Sequence, residues 1–425
     1  MHAPRWILAS AAIAVAAVLG ISAVRTSLTQ PSNYVPGQVL VKFKPSTSTW
    51  AKAALLSLFK TKVLQRVSAL DLYLVQTPED LDIRDISGVF ERSPDVLYAQ
   101  PNHIYEAQVT PNDMYFGYQY ALFNKGQEIS YIPGSPQGRP SSDIKAPTAW
   151  EETTGDENVL IGIIDTGVDL THPDLKNKVV GPGWDFVNDD ASADDDQGHG
   201  TMVAGIAAAE TNNLEGIAGV AWAARILPVK VLDASGFGTD VMVIQGIQYA
   251  MDHGAKILLI SWGQSEPSPA LEAMLKSASD NGVVIIAAAG NGNTKVAYPA
   301  AYEKYVCAVA ATDFNDQRCV FSNYGFEIDV AAPGLQIFTT YPVSLSNGFP
   351  PYKSQDGTSM AAAHVAGLSA LIRSLKPSLT PAQVLSILRY SSDDVNASVY
   401  PGRDEFLGFG RINMEKALVP LKIVK

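Results

Sequence analysis

The sequence predicts an α/β protein in which a doubly wound, mostly parallel sheet is flanked by helices and preceded by a small α+β domain. Continuous apolar runs, which are typical of strands buried on both faces, recur from residue 159 onward. Amphipathic stretches lie between them, and strands that alternate with helices form parallel sheets. A separate pattern of strands and helices between residues 37 and 108 predicts the smaller domain.

Length and composition fit a globular protein with more than one domain. The chain has 425 residues, of which 47% are hydrophobic and 17% are charged, so a sizeable core can form. The net charge is −12, and Lys and Arg are not clustered into a footprint for phosphates. A nucleic-acid partner is therefore not expected.

The first residues have the pattern of a secretory signal. A short basic start precedes residues 6–24, which are almost wholly apolar, and Ser22-Ala23 is a candidate cleavage point. We expect residues 1–27 to direct secretion, so that the product is extracellular. The apolar run is also long enough to remain as a membrane anchor if it is not cleaved. Residues 28–36 contain two prolines and are expected to form a linker.

The small domain begins with an alternating strand. Its expected elements are strands at 38–43, 70–77 and 96–100 and helices at 49–60 and 81–90. This pattern by itself indicates no activity.

The large domain follows a loop-rich segment, residues 112–145. Strands are expected at 159–164, 226–232, 257–260, 283–287 and 306–310, and helices at 200–209, 241–253 and 270–281. Ligands of such sheets bind at the carboxyl ends of the strands. Only two cysteines are present, and they flank a turn-like segment, so either a cross-strand bridge or two buried thiols is expected at Cys307 and Cys319.

Ser359 lies between small residues, directly before an alanine-rich run with helical spacing. A hydroxyl at a helix N-terminus meets unpaired N–H groups and the positive end of the helix dipole, both of which favour developing negative charge. This environment suits a nucleophile. The same pattern is also typical of a Ser or Thr cap on a core helix.

Three further polar residues are expected at the same edge of the sheet. Asp165 ends one buried strand, Asn291 ends another, and His199 opens a helix between two glycines that let another group approach its ring. Asp165 and Asn291, each near a glycine, are also typical of turns. Together they offer a base and a carboxylate, with the oxyanion donor that an acyl-transfer site needs. Among the six histidines, His364 would point about 140° away from Ser359 on a helix, which favours a core role.

The motifs around these four residues carry a family resemblance. They are Asp165-Thr166-Gly167, Gly198-His199-Gly200-Thr201, Ala288-Ala289-Gly290-Asn291 and Gly357-Thr358-Ser359-Met360-Ala361. In order and approximate spacing, the chain resembles the subtilisin-like serine proteases over residues 110–419, and its segments 110–113 and 183–187 resemble the thermitase branch. The resemblance implies that Ser359 attacks a peptide carbonyl and that His199 carries the proton. Asp165 would then orient the imidazole, and Asn291 would bind the oxyanion with the backbone N–H of Ser359.

The resemblance also implies a substrate cleft. Ser261-Trp262-Gly263 matches one edge and Gly236-Phe237-Gly238 the opposite edge, so an extended polypeptide substrate would bind between them as an added strand. Ala297 matches a position near the base of the specificity pocket. A small residue there implies medium-sized apolar side chains before the cleaved bond.

The aspartate-rich stretch of residues 185–196 resembles a calcium loop, although such a run is also typical of a solvated loop. The implied ligands of one Ca²⁺ site are Asp185, Asn188, Asp190, Ser192 and Asp194. Those of a second are Asp113, Asp174 and Asn213 with the carbonyl oxygens of Glu210, Glu215 and Ile217. Calcium takes six to eight oxygen ligands, so two structural ions are expected.

The resemblance identifies residues 37–108 as a ferredoxin-like propeptide and residues 109–425 as the catalytic domain. The propeptide would assist folding and inhibit its own enzyme until a cut near residues 106–109. The enzyme is expected to be a monomer that contacts a membrane only if the N-terminal segment stays uncleaved.

Three positions depart from the family pattern. Met202 replaces a usual histidine, Ala363 replaces a usual proline, and Gln264 replaces a common glycine. The alternative function is a catalytically silent binding or scaffold protein, which would need a broken triad, and this triad is intact. An α/β-hydrolase is excluded because its nucleophile comes first along the chain.

Overall fold

The computed structural model describes residues 34–78, 83–103, 109–130 and 134–423. The described residues fall into two compact units, one within Met1–Ala107 and one within Gln108–Lys425, which we describe separately. The expected signal, most of the expected linker and residues 104–108 at the expected cut lie outside the described residues. In the described part of the chain, we find no helix with the length and apolar character needed to cross a membrane.

The first unit is a four-stranded antiparallel sheet with two helices. Its elements are β1 (Tyr34–Phe43), α1 (Thr49–Leu58), β2 (Lys62–Val67), β3 (Leu72–Gln76), α2 (Ile83–Glu91) and β4 (Val96–His103). The strand order is β2-β3-β1-β4. Val39, Val41 and Phe43 of β1 pack in one core with Ile86 and Phe90 of α2. This order and connectivity are those of the ferredoxin-like arrangement.

Two features of this unit differ from the expectation. β2 is absent from the predicted pattern because all six of its residues are exposed, so no burial period marks it as a strand. β1 begins at Tyr34, and the last three residues of the expected linker therefore lie in a strand. A register irregularity between Tyr34 and Val39 accommodates Pro36, which cannot donate to a sheet.

The second unit is built on a seven-stranded parallel sheet, which confirms the predicted fold class. The strands are β5 (Leu160–Asp165), β6 (Trp184–Asp185), β7 (Arg225–Lys230), β8 (Ile257–Ile260), β9 (Val284–Ala288), β10 (Val306–Thr312) and β11 (Ile328–Pro333). Their order in the sheet is β11-β10-β9-β8-β5-β7-β6, and β12 (Ile337–Thr340) pairs with β13 (Tyr352–Gln355) in a separate hairpin. Cys307 and Cys319 are buried free thiols.

Helices cover both faces of this sheet. They are α3 (Ala146–Trp150), α4 (His199–Ala208), α5 (Asp240–Asp252), α6 (Pro269–Asp280), α7 (Thr358–Leu375), α8 (Pro381–Ser391) and α9 (Met414–Ile423). Leu160 and Ile164 share a core with α5 and α6, whereas Ile161 and Ile163 share the other core with the remaining helices. Successive side chains of β5 therefore pack alternately into the two cores on opposite faces of the sheet.

The central helix α7 packs closely on α4. A Cβ atom at Gly367 would lie 2.9 Å from the carbonyl oxygen of Ala207 and 2.5 Å from the Cβ atom of Val220. Only glycine permits this approach. The close contact brings the helix that begins at His199 against the helix that begins at Thr358.

Candidate active site

The candidate residues on the strands lie at one edge of the parallel sheet. Asp165 is the last residue of β5, Ser261 follows β8, and Asn291 lies three residues beyond β9. These strands run parallel, so their carboxyl ends meet. The sequence prediction that these polar residues share an edge is consistent with the fold.

Three neighbouring side chains fix the start of α4. Its first free N–H groups donate to different acceptors: His199 N to Gln197 Oε1 at 2.9 Å, Gly200 N to Thr166 Oγ1 at 2.9 Å, and Thr201 N to Asp195 Oδ2 at 2.9 Å. Gly198, at the cap position, makes no side-chain cap itself. The free donors of the helix end are thus satisfied by the chain around the site.

A close backbone approach places His199 beside Asp165. A Cβ atom at Gly200 would lie 1.9 Å from the carbonyl oxygen of Gly167. Only glycine at position 200 therefore lets this helix lie so close to the end of β5. His199 Nδ1 donates to Asp165 Oδ1 at 2.8 Å. The Asp165 side chain is fully buried, and that of His199 is 24% exposed. Because the carboxylate accepts from Nδ1, the neutral ring presents Nε2 as its basic nitrogen.

The electrostatic surroundings favour the protonated form of His199. Burial lowers its pKa, but the charge and hydrogen bond of Asp165, together with the charge of Asp195, outweigh burial. The pKa of His199 therefore lies above its ordinary value of 6.5.

Two buried charged residues that the sequence analysis did not single out hold the start of α4 and the end of β5 in place. Asp195 accepts from Thr166 Oγ1 at 2.9 Å, Gly198 N at 2.8 Å and Thr201 Oγ1 at 2.6 Å. Lys230 is 1% exposed at the end of β7. Its Nζ donates to the carbonyl oxygens of Thr166 and Leu232 and to Asp196. The signal for Lys230 was a charged residue inside an otherwise apolar strand.

The carboxamide of Asn291 has a fixed orientation. Its Oδ1 accepts from both the backbone N and the Oγ1 of Thr358 at 2.9 Å. A backbone N–H only donates, so the atom facing it is the oxygen, and Nδ2 points elsewhere. Nδ2 lies 3.5 Å from the position that a Cβ atom of Gly357 would occupy. Asn291 therefore offers a donor beside the start of α7.

Ser359 is the second residue of α7 and is 5% exposed. Its hydroxyl donates to the carbonyl oxygen of Ser261 at 2.8 Å. The serine predicted at a helix N-terminus is thus found there.

A cavity of about 510 Å³ opens beside Ser359. Its walls contain four expected substrate-binding residues, namely Ser261, Trp262, Gly263 and Ala297, together with Asn291 and Ser359. Asn323, which the sequence analysis missed, shapes one wall by accepting from the backbone N–H groups of Gly292 and Thr294. Gly236, Phe237 and Gly238 do not line this cavity, and Phe237 is 74% exposed.

Comparison with known proteins shows to which family the chain belongs. Residues 156–410 match the model of the subtilase family, and residues 22–102 match the fervidolysin N-terminal prodomain. The chain belongs to the subtilase family. It is a subtilisin-like serine endopeptidase with an N-terminal prodomain.

Individual relatives agree with this assignment. The subtilase is 43% identical to thermitase of Thermoactinomyces vulgaris over 310 residues, which cover 73% of this chain and 99% of thermitase. It is 38% identical to a thermophilic serine proteinase of Bacillus sp. (strain AK1), with 91% and 88% of the two chains covered. A solved protease structure from Pseudoalteromonas arctica PAMC 21717 superposes with a TM-score of 0.62 at 31% identity, covering 74% of this chain and 100% of that one.

The residues where this subtilase departs from its family pattern are accommodated in the fold. Met202 is 5% exposed, and its carbonyl oxygen accepts from Thr339 Oγ1 at 2.7 Å. Ala363 is fully buried inside the continuous helix α7. Gln264 exchanges two backbone hydrogen bonds with Tyr298, each 2.9 Å long, and lines the cavity.

Two other buried histidines of this subtilase are satisfied within the core. His364 contacts the carbonyl oxygen of Met360 at 2.8 Å, and burial lowers its pKa to about 4. His172 accepts from the backbone N of Asp174 at 3.1 Å and lies 3.0 Å from the carbonyl oxygen of Pro351. Both are neutral and hydrogen-bonded, in line with the core role expected for His364.

The first expected calcium set is occupied by local hydrogen bonds. Asp185 accepts from the backbone N–H groups of Val187 and Asn188, and Asp190 accepts from Ser192 N at 2.9 Å. Asp194 instead accepts from Leu170 N at 3.2 Å. Over the described ranges, we find no group of three or more His, Cys, Asp or Glu side chains arranged to hold a metal ion.

The second expected set is more closely assembled. Asp174 accepts from Asn213 Nδ2 at 3.1 Å and from Ile217 N at 2.9 Å. Burial, followed by a smaller contribution from the charge of Asp113, raises the pKa of Asp174 to about 6. Asp113 is itself 5% exposed. Two neighbouring buried carboxylates among oxygen donors suit a hard cation such as Ca²⁺, which would relieve their repulsion.

Proposed function

We propose that Ser359, His199 and Asp165 are the catalytic residues of this endopeptidase and that Asn291 binds the oxyanion. The hydrogen bond between His199 Nδ1 and Asp165 Oδ1 carries this proposal, because it leaves His199 Nε2 as a base beside the helix that holds Ser359. A hydrogen-bonded carboxylate–imidazole pair, together with a serine at a helix N-terminus, supports an enzyme, since a silent scaffold would lack one of these groups.

The reaction begins when Ser359 Oγ attacks the carbonyl carbon of the scissile peptide bond. His199 Nε2 takes the hydroxyl proton and then returns it to the leaving amine, while Asp165 stabilises the imidazolium. Ser359 first exchanges its hydrogen bond to the Ser261 carbonyl oxygen for one to His199. Water hydrolyses the resulting acyl-enzyme.

Developing negative charge on the carbonyl oxygen is met by two donors. One is Asn291 Nδ2, which Thr358 holds in place through the amide oxygen. The other is the backbone N–H of Ser359 in the first turn of α7. Donors fixed in advance stabilise the transition state without reorganising during the reaction.

The cavity beside Ser359 receives the side chain that precedes the cleaved bond. Ser261-Trp262-Gly263 and Gly236-Phe237-Gly238 form the two edges that pair with the backbone of the substrate. The small Ala297 leaves room for medium-sized apolar side chains. A peptide library would overturn this specificity if it showed a strong preference for Arg or Lys.

The protein is made as a secreted precursor. Residues 1–27 direct export or remain as an anchor, residues 28–36 precede the propeptide, and residues 37–108 inhibit residues 109–425 until self-cleavage. The match of the N-terminal region to a prodomain supports this organisation. Structural Ca²⁺ binds at Asp113, Asp174 and Asn213 with the carbonyls of Glu210, Glu215 and Ile217. A second ion binds in the loop of Asp185, Asn188, Asp190, Ser192 and Asp194, where it competes with the local hydrogen bonds of these carboxylates.

The test of the proposed function is the variant Ser359→Ala, produced as the full-length chain. We expect a folded protein that stays at precursor size, because the residue that cuts the propeptide is missing. Gel electrophoresis and intact mass measure processing, and circular dichroism verifies folding. Normal processing of this variant without added protease would exclude Ser359 as the nucleophile.

A further inference from the structure

Two buried oxygen atoms at the candidate site have no hydrogen-bond partner among the residues that the structure describes. One is Oδ2 of Asp165, whose Oδ1 already accepts from His199 Nδ1 and from Thr166 N. The other is Oγ of Ser261, a residue that is 5% exposed. Buried polar atoms nearly always have partners, so two unpaired atoms at one site need an explanation.

Register places these two residues side by side. β5 and β8 are parallel neighbours, and Ile164 pairs with Ile260. Asp165 and Ser261 are the next residues along the two strands. Adjacent strands lie about 4.8 Å apart, which is within reach of a short hydroxyl and a carboxylate.

Both side chains also project to the same face of the sheet. Ile163 and Leu259 pack in the core that contains α4 and α7, and side chains two residues apart on a strand share a face. Asp165 and Ser261 follow them by two residues. Their side chains therefore lie on the face that carries His199 and Ser359.

We propose that the Ser261 hydroxyl donates a hydrogen bond to Asp165 Oδ2 and so acts as a positioning residue for His199. This inference rests on the proposed function, in which Asp165 orients the imidazole. Rotation about the Ser261 side-chain bond forms the contact and leaves its backbone carbonyl in place for Ser359. With both oxygens held, the carboxylate cannot turn away from His199.

The contact also tunes the basicity of the imidazole. A donor to Oδ2 withdraws negative charge from the carboxylate, which weakens its stabilisation of protonated His199. The other charged group that raises the pKa of His199 is Asp195, and the nearby Lys230 pairs with Asp196. Loss of the Ser261 hydroxyl therefore raises the pKa of His199 further, whereas loss of mere packing does not.

The test compares Ser261→Ala with Ser261→Thr, which keeps the hydroxyl. Both are produced from the full-length precursor, and kcat, KM and the pH profile of kcat/KM are measured on a chromogenic peptide. For Ser261→Ala we expect kcat to fall about tenfold at unchanged KM, as for the loss of a hydrogen bond to a charged group. The fall of kcat/KM at low pH should move to higher pH in this variant. Ser261→Thr should restore both kcat and the pH profile.

Ser354→Ala is the matched control, because Ser354 Oγ is also buried without a partner among the described residues but belongs to β13. It should keep the wild-type rate and pH profile, and thermal melts verify that all variants fold. Wild-type kcat and an unmoved acidic limb in folded Ser261→Ala would overturn the proposal while leaving the proposed function intact. If the wild-type enzyme itself fails to react with a fluorophosphonate at Ser359, the proposed function fails instead.

Discussion

At the scale of single residues, the ring of His199 is governed by two opposing effects. Burial disfavours its charge, whereas Asp165 and Asp195 favour it and prevail. The same carboxylate that orients the ring therefore raises the pH at which the ring becomes a base. Asp165 thus affects both geometry and pH dependence.

We expect kcat/KM to fall at low pH with an apparent pKa above the ordinary histidine value of 6.5, since catalysis needs the neutral ring. A raised folded-state pKa also means that protonated His199 stabilises the fold below its unfolded pKa. This stabilisation is lost as the pH rises through the folded pKa. Steady-state rates between pH 5 and 9 measure this fall of kcat/KM at low pH. An apparent pKa below 6 would contradict the conclusion that Asp165 and Asp195 raise the pKa of His199.

Thr358 provides a second prediction for a single residue. Thr358→Val removes the hydroxyl that donates to Asn291 Oδ1 and leaves the backbone donor in place. We expect kcat to fall about three- to tenfold at similar KM, less than the hundredfold or greater cost of losing a whole oxyanion donor. Thr358→Ser should retain most of the rate. Equal rates in the valine and wild-type enzymes would show that the hydroxyl does not hold Asn291.

The sequence identifies candidate residues that belong to short motifs. It does not identify the residues that hold these motifs in place in the fold. Asp165, His199, Asn291 and Ser359 were predicted because each stands beside glycines or small residues at the end of an element. Lys230 and Asn323 were missed because their roles depend on chain segments that meet only in the fold. The unpaired hydroxyl of Ser261 likewise has no signature in the sequence.

At the scale of elements, the candidate catalytic residues His199 and Ser359 lie at the N-termini of α4 and α7. Side chains from neighbouring segments hold both helix ends in place. Gln197, Thr166 and Asp195 cap α4, and Asn291 accepts from the first residue of α7. The buried strand β11 and the helices α8 and α9 were missed, whereas the bounds of β5, β7, β8, β9 and β10 and of α4, α5 and α6 were predicted to within a few residues because their apolar periods are strong. The exposed edge strand β2 was not, since its formation depends on backbone pairing with β3 rather than on burial.

Lys230→Met tests how β7 supports the site. The substitution keeps the length of the side chain but leaves the carbonyl oxygens of Thr166 and Leu232 without their donor. We expect the free energy of unfolding to fall by about 2–4 kcal/mol. Denaturant unfolding in a Ser359→Ala background, which prevents self-digestion, measures the change.

Lys276→Met is the matched control for this variant. Lys276 pairs with Asp280 on the exposed surface of α6, where ion pairs contribute little. Its unfolding midpoint should stay close to that of the background protein. Equal midpoints for both lysine variants would contradict the supporting role of Lys230.

At the scale of the whole molecule, calcium binding should couple to the stability of the catalytic domain. Asp113 and Asp174 hold two buried carboxylates near each other, and a bound cation offsets their repulsion. For an ion present at about a hundred times its dissociation constant, we expect EDTA to lower Tm by about 5–10 °C and CaCl₂ to restore it. Differential scanning fluorimetry measures this shift.

Two variants assign the calcium effect to its sites. Asp174→Asn should reduce the EDTA-sensitive shift if the ion binds with Asp113, and Asp190→Asn should do so if it binds in the aspartate-rich loop. Both variants are compared with and without CaCl₂. An EDTA-treated wild-type protein with an unchanged Tm would count against both sites.

Covalent labelling with a fluorophosphonate followed by peptide mass mapping tests directly whether Ser359 is the activated nucleophile. This reagent phosphonylates a serine that an adjacent base activates. We expect one label on processed wild-type protein, located at Ser359, and no label on Ser359→Ala. An unlabelled Ser359 in folded, processed protein, or a label that persists in Ser359→Ala, would contradict this expectation.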